Sequence, residues 1–148
     1  MCCFNIIIGT RLFKDMFWGE AEPIAITVLK RKPETQVGTI RNVRFHNILC
    51  ESENGILIYG EDPGHIENIR FDNVSLHLRR RTSHELGIHD LRPTIGPTCT
   101  RAGLTYVHAH NINRVRFRDC CWTSELPVQP CIAENCTDFS ADNGDGLC

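Results

Sequence analysis

The stretch IRNVRFHNI at residues 40–48 recurs as IENIRFDNV at residues 66–74 and as INRVRFRDC at residues 112–120. The shared nine-residue pattern, called the template below, is apolar-x-x-apolar-Arg-Phe-x-Asn/Asp-apolar. Matches of this density indicate an internal repeat, and a repeat decides the fold before any other feature does. The first two copies begin 26 residues apart, at 40 and 66, and the third begins 46 residues later, at 112.

Within each copy the apolar side chains alternate with polar ones. Val43 and Phe45 share one face and Arg44 and His46 share the other, which is the two-residue period of a β-strand. The Asn or Asp at the eighth position of each copy favours a bend, because these residues tolerate left-handed backbone. A short strand, a bend and a return strand at each repeat predict a right-handed parallel β-helix, an all-β solenoid of about four coils.

Stacking of the coils predicts which side chains meet. Phe45, Phe71 and Phe117 are expected in one internal column, with the bends of all copies along one corner. The arginines at the fifth template position are expected in an outward row. Because like charges at strand spacing repel, acidic side chains are expected between them, namely Glu67, Asp72 and Asp119.

Composition limits the classes of function. The chain has 148 residues, enough for one domain, and a net charge of −2, so no broad basic field favours nucleic-acid binding. No segment is long and apolar enough to span a membrane, and no signal peptide is recognisable. The chain begins almost inside a predicted strand, which predicts an N-terminally truncated solenoid, because solenoid ends need caps.

The repeat divides the chain into two parts. Residues 1–123 are predicted to form the coils, and residues 124–148 an irregular C-terminal tail. Residues 79–101, called the excursion below, have no strand or helix period, and long loops on a rigid scaffold tend to carry binding groups. Of the nine cysteines, Cys50 and Cys120 are expected to pack as small apolar side chains, and a disulfide among Cys131, Cys136 and Cys148 stays open.

Five segments together resemble bacterial polygalacturonase-like proteins of glycoside hydrolase family 28. The resemblance spans about residues 5–122, and the order and spacing of the segments are more specific than any one of them. The segments are FWGEAEPI at 17–24, GTIRNVRFHNI at 38–48, CESENGI at 50–56, IENI at 66–69 and DLRP at 90–93.

The resemblance implies a right-handed parallel β-helix and hydrolysis, with inversion, of galacturonan or related plant cell-wall polysaccharides. Inverting hydrolysis needs two carboxyl groups about 6.5–9.5 Å apart. The family supplies its acidic groups in Asn-Thr-Asp and Asp-Asp motifs, assisted by Gly-His-Gly and Arg-Ile-Lys, and none of the four occurs here. The chain therefore resembles the C-terminal coils of such an enzyme without its catalytic coils. No catalytic residue can be assigned, and whether the chain is an enzyme stays open.

The candidate substrate-binding residues are Trp18, Glu20, Glu22, Asp90 and Arg92. Trp18 can stack on a sugar ring or pack at the start of a coil. Glu20 and Glu22 share a face of an extended segment and can bind hydroxyls, or be solvated turn residues. Asp90 and Arg92 can contact an acidic sugar, because guanidinium pairs with carboxylate as a fork, or can form an internal brace that closes the loop.

No cofactor is predicted, and no metal site is assigned. The histidines of the 84–110 region could group around a metal, but no Cys-x-x-Cys or His-Glu-x-x-His spacing supports this. The expected partner is a polysaccharide or oligosaccharide of acidic sugar, with no nucleic acid and no membrane. The family resembled is usually secreted or periplasmic, but the sequence itself does not fix the location. The alternative function is a non-catalytic β-solenoid that binds carbohydrate or another protein.

Overall fold

The computed structural model of the chain describes the backbone of residues 4–8 and the whole of residues 22–141. This part of the chain is all-β and contains no helix, so no helix in it could cross a membrane. Its strands are β1 (Phe4–Ile8), β2 (Ile24–Val28), β3 (Ile40–Ser52), β4 (Ile56–Gly60), β5 (Ile66–Leu78), β6 (Ile88–Asp90), β7 (Cys99–Arg101), β8 (Thr105–His110), β9 (Ile112–Arg118), β10 (Cys121–Ser124), β11 (Gln129–Glu134) and β12 (Thr137–Ala141).

The strands form two larger sheets and one hairpin. The first sheet has the order β1-β2-β4-β8-β11, and its strands pair in parallel except that β1 runs antiparallel to β2. In the second sheet β3, β5, β9 and β12 pair in parallel, and β10 pairs with the last four residues of β5. The pair β6–β7 is an antiparallel hairpin inside the excursion.

The three copies of the template lie side by side in register. Phe45 pairs with Phe71, and Phe71 with Phe117. Their rings stack with centroids 4.9 and 4.7 Å apart and interplanar angles of 10° and 13°. All three side chains are buried between the two sheets. The predicted internal column of phenylalanines is therefore confirmed.

The predicted bends are also confirmed, and a second series accompanies them. The eighth template residues have positive φ, 58° at Asn47, 53° at Asn73 and 51° at Asp119. The third template residues also have positive φ, 58° at Asn42, 55° at Asn68 and 65° at Arg114. This second series was not predicted, although Asn suits the left-handed region for the same reason. Each copy is thus bent at two points rather than one.

Asp72 occupies the predicted place between the arginines. Arg44, Arg70 and Arg116 lie on neighbouring strands in register. Asp72 is buried and accepts a hydrogen bond from Arg44 at 2.5 Å and one from Arg118 at 3.1 Å. Burial acts to raise the pKa of Asp72, but the hydrogen bond and charge of Arg44, with the charges of Arg118 and Arg70, outweigh burial and lower it.

The other two predicted acidic partners were wrong. Glu67 lies 3.4 Å from Arg41, three residues before Arg44 of the arginine row, and Asp119 lies 3.9 Å from Arg118, which is outside that row. Arg116 is instead neutralised by Asp138, at 3.3 Å, in a part of the chain that lacks an obvious template. Sequence spacing alone therefore does not show which acidic side chain reaches which arginine.

The prediction of an irregular tail from residue 124 was wrong for most of the described residues. β11 and β12 pair in parallel with β8 and β9, and Phe139 and Ala141 stand opposite Val115 and Phe117. Residues 137–141 therefore continue the template with a weakened pattern, in which alanine replaces the aromatic residue. Residues 142–148 lie outside the described residues.

The pairing of the N-terminal strands differs from the prediction, and the predictions for the cysteines are confirmed in part. Residues 1–123 were predicted to form parallel coils, but β1 pairs antiparallel with β2. Cys120 is buried in the core and Cys50 packs against it, as predicted. Cys131 and Cys136 are free thiols, so the bridge left open between them is absent, whereas Cys121 is disulfide-bonded.

Candidate functional site

Polar and aromatic side chains gather on the outer face of the first sheet, the face turned away from the core. Alternation in β4 and β8 sends Ile58 and Ala109 into the core and leaves Tyr59, His108 and His110 on the outer face. The β6–β7 hairpin crosses this face. Its Leu91 is buried against Ala25 and Leu57, which fixes the hairpin by apolar contact.

Two buried polar residues just before β4 hold the excursion in place. The carboxylate of Glu53 accepts hydrogen bonds from the backbone N–H groups of Arg81 and Thr82, both at 2.5 Å. The Asn54 side chain accepts from the N–H of Gly87 at 2.8 Å and donates to the carbonyl of Ile88 at 3.2 Å. Because buried polar groups are costly without partners, these bonds specify where the excursion lies.

The residue after Asn54 is Gly55, and a side chain does not fit at its position. A side chain on Gly55 would place its Cβ 2.0 Å from the backbone oxygen of Thr105. Real Cβ contacts are never so close, so the start of β4 can approach the start of β8 only without a side chain. The segment 53–55 thus anchors the excursion through the contacts of Glu53 and Asn54.

Glu22 is tied to the hairpin. Its Oε1 lies 2.7 Å from Nδ1 of His89, whose side chain is fully buried, while the Glu22 side chain is 12% exposed. His89 precedes Asp90 in the chain. Glu22 is therefore tied to β6, the strand that carries Asp90, and Arg92 follows two residues later in the chain.

Asp90 and Arg92 form the brace that the sequence left as an alternative to sugar contact. Nε of Arg92 donates to Oδ1 of Asp90 at 2.9 Å and Nη2 donates to Oδ2 at 2.6 Å. The backbone N–H of Arg92 also donates to Oδ1, at 2.8 Å. The Arg92 side chain remains 40% exposed, whereas that of Asp90 is 13% exposed. The brace orients the guanidinium and leaves part of it at the surface.

His108 lies beside His89 in an unusual environment. Their ring centroids are 5.8 Å apart, and His108 is 1% exposed. Neither ring nitrogen of His108 has a hydrogen-bond partner among the described residues, and Nε2 of His89 has none either. Burial, followed by the neighbouring His89, lowers the pKa of His108 to about 4, so this imidazole is neutral at pH 7.

His110 does not join these two imidazoles. Its Nδ1 lies 3.1 Å from the carbonyl of Gly60, and its ring stacks on Tyr59 with centroids 4.6 Å apart. Among residues 22–141 no three His, Cys, Asp or Glu side chains are placed to hold a metal ion. The aromatic pair Tyr59–His110 is instead a flat, partly exposed surface next to the hairpin.

Trp18 and Glu20 lie outside the described residues. Sequence reasoning missed Glu53, Asn54 and the His89–His108 pair. The position of Glu53 and Asn54, polar residues immediately before an apolar strand, was a usable signal for a buried anchor. Nothing in the spacing of His89 and His108 indicated that their rings would meet.

Comparison of the chain with protein-family models, with curated proteins and with solved structures found no match.

Proposed function

We propose that the described strands are successive coils of a right-handed parallel β-helix. Strands alternate between the sheets in chain order: β2, β4, β8 and β11 lie in the first sheet, and β3, β5, β9 and β12 follow them in the second. Parallel pairing at each step and template copies in register support one strand per sheet in every coil. The right hand follows from the strong preference of parallel crossover connections.

On this scaffold, the chain contributes a wall of the substrate cleft of a polygalacturonase-like hydrolase and binds an acidic polysaccharide there. The observation that carries the proposal is the Asp90–Arg92 pair, part exposed at Arg92, on a hairpin that the contact of Glu22 with the buried His89 holds in place. A braced, partly exposed guanidinium suits the carboxylate of a uronic acid, because the two groups pair as a fork. The neighbouring Tyr59–His110 surface suits a sugar ring.

The proposal assigns binding but no catalytic step to this chain. The sequence has no Asp-Asp pair and no Asn-Thr-Asp, and the carboxylates at the proposed site are already engaged with His89 and Arg92. These absences also favour the second candidate, a β-solenoid that binds carbohydrate without hydrolysis. The two candidates differ in whether a protein that contains this chain releases reducing ends from polygalacturonate.

The test measures binding of this chain to polygalacturonate and to neutral xylan by calorimetry. We expect binding to polygalacturonate only, and a loss of about tenfold in affinity for Arg92→Ala, since one charge-assisted contact contributes about 1.4 kcal/mol or more. The matched control is Arg101→Ala on the same hairpin. Arg101 is exposed, and its guanidinium pairs with Glu85 at 3.3 Å.

Circular dichroism of both variants checks that the fold persists. Equal binding by wild type and Arg92→Ala, or an equal loss in Arg101→Ala, would remove Arg92 from the site. Absence of binding to polygalacturonate would overturn both candidates in their carbohydrate form.

A further inference from the structure

Three arginines form a row on the outer face of the second sheet. Arg44 pairs in register with Arg70, and Arg70 with Arg116, so the same side chain returns on three neighbouring parallel strands. Neighbouring strands lie about 4.8 Å apart, so the row runs across the strands. The three side chains are 54%, 41% and 52% exposed, in that order. A ligand in solvent can therefore reach each of the three guanidinium groups.

Arg70, at the centre of the row, is not hydrogen-bonded to the acid beside it. Asp72 accepts hydrogen bonds from Arg44 and Arg118, at 2.5 and 3.1 Å. Nη2 of Arg70 lies 3.7 Å from Oδ1 of Asp72, which is too far for a hydrogen bond, and Nε of Arg70 is buried with no partner among the described residues. Because a guanidinium has five N–H donors, Arg70 keeps donors that an anionic ligand can use.

The aspartates on this face do not balance the arginines. Asp138, like Asp72, is shared, because it accepts hydrogen bonds from both Arg114 and Arg116. The side chains in these ion pairs are five arginines and three aspartates, namely Arg44, Arg70, Arg114, Arg116, Arg118, Asp72, Asp119 and Asp138. This excess of two positive charges lies on a chain with a net charge of −2. The row is therefore a local positive surface that attracts anions.

The spacing of the row favours a polymer of acidic sugar over other polyanions. An extended polypeptide presents side chains of one face about 6.7 Å apart, which does not match arginines about 4.8 Å apart. Nucleic acids are bound by broad basic surfaces, whereas the charge excess here is confined to one row. A polyuronate carries one carboxylate on every sugar, and a carboxylate pairs with guanidinium as a fork. Such a chain can contact the three arginines in succession.

We propose that the row of Arg44, Arg70 and Arg116 binds a polyuronate chain that runs across the strands of the second sheet. Successive carboxylates of the polymer pair with successive guanidinium groups, and Arg70 contributes most because its donors are not engaged by Asp72. The inference adds a second surface to the proposed binding of acidic polysaccharide. It concerns the outer face of the other sheet, so it is tested separately from Arg92.

The test measures binding of polygalacturonate by calorimetry in the full chain carrying Arg92→Ala, so that the first surface does not contribute. We expect this chain to retain saturable binding. Adding Arg70→Gln together with Arg116→Gln should weaken the remaining binding at least tenfold, because two of the three guanidinium forks are lost. No binding by the Arg92→Ala chain, or equal binding with and without the two glutamines, would overturn the proposal and leave the assignment of Arg92 untouched.

The two substitutions are chosen so that neither shared aspartate loses all its partners. Asp72 keeps the hydrogen bonds from Arg44 and Arg118, and Asp138 keeps the one from Arg114. We therefore expect the circular dichroism spectrum to be unchanged, so that a loss of binding reports the row and not the fold.

The matched control is Arg79→Gln together with Arg101→Gln, again in the Arg92→Ala chain. These two arginines are 47% and 56% exposed, and their loss changes the net charge by the same amount. Arg79 follows the last residue of β5 and Arg101 ends β7, so neither belongs to the row. We expect binding within about twofold of the reference chain. A loss as large as that from Arg70→Gln with Arg116→Gln would show a general attraction of charge and would overturn the assignment to the row.

Other polyanions identify the class of ligand. Poly-glutamate and single-stranded oligothymidylate are titrated into the Arg92→Ala chain at the same ionic strength. We expect both to bind at least tenfold more weakly than polygalacturonate. Equal or tighter binding of either polymer, lost with Arg70→Gln and Arg116→Gln, would contradict a polyuronate ligand, because the row would then recognise an acidic polypeptide or a nucleic acid.

Discussion

The template strands β3, β5 and β9 and the excursion 79–101 are held by different kinds of contact. Each template strand repeats one pattern, and its apolar residues stack on identical or similar residues of the next strand, as Phe45, Phe71 and Phe117 do. The excursion has no repeated pattern. It is fixed by the apolar contact of Leu91 and by single polar contacts at Glu53, at Asn54 and at the Glu22–His89 pair.

The two kinds of contact have different consequences. The apolar column stabilises the sheets, whereas the polar anchors determine where the excursion lies. Burial of a continuous apolar column is additive over many contacts, so it tolerates variation at its ends, such as alanine at position 141. A buried polar anchor acts through one or two bonds, and its loss frees one segment while the sheets remain. The proposed binding residues Asp90 and Arg92 lie on the segment that is placed by anchors.

The largest effect is expected for Phe71→Ala. The Phe71 ring is fully buried between Phe45 and Phe117, and removal leaves a cavity in the middle of the column. We expect the free energy of unfolding to fall by about 3–5 kcal/mol. Urea denaturation followed by circular dichroism measures this, with β-structure lost in one transition.

The control for this prediction is Phe139→Ala at the end of the column. Phe139 is only half-buried and touches Phe117 from one side, with ring centroids 5.7 Å apart. A loss in the free energy of unfolding as large as that of Phe71→Ala would show that the end of the column contributes as much to stability as its centre.

The sequence was sufficient for the template strands because the same residue type returns at the same offset in every copy. The phenylalanine column and the bends at Asn47, Asn73 and Asp119 follow from that repetition. Each polar anchor of the excursion occurs only once in the sequence and joins residues that are far apart along the chain. Asn54 bonds Gly87, 33 residues away, and Glu22 bonds His89, 67 residues away. No periodic pattern encodes such pairs.

The candidate site, too, could be predicted only in part from the sequence. Asp90 and Arg92 are two residues apart, so their mutual brace could be considered from the sequence. Their position beside Glu22 could not, because it depends on where the hairpin packs on the outer face of the first sheet. β12 was missed for a related reason: with alanine in place of the aromatic residue and no arginine before it, the template falls below recognition there.

The second prediction concerns the pH dependence of stability. The pKa of His108 is lowered to about 4 in the folded chain, below its ordinary value of 6.5, so the unfolded chain binds the proton more tightly. Stability from this group is complete above pH 6.5 and is lost as the pH falls towards 4. The loss is roughly 3 kcal/mol for a shift of this size. Urea denaturation from pH 7.5 to 4 measures it.

His108→Phe should flatten this part of the pH profile, because it removes the titrating group. His89, His110 and Glu134 are the other titratable groups around His108, and all three remain in the variant. His46→Gln is the matched control, since His46 is exposed on β3. An unchanged slope in His108→Phe would show that a different group is responsible for acid sensitivity.

The smallest and most local effect is expected for Asn54→Ala. The variant leaves the N–H of Gly87 and the carbonyl of Ile88 buried without their side-chain partner, at a cost of about 1–3 kcal/mol. Because the excursion can open to regain water, we expect hydrogen exchange to accelerate at residues 87–90 while β5 and β9 keep their protection. Asn113→Ala is the control, because Asn113 is exposed and its side chain bonds only Thr137 among the described contacts. If Asn54→Ala instead lowers protection evenly in β5 and β9, the excursion and the template strands form one cooperative unit, and the separation of stability from placement does not hold.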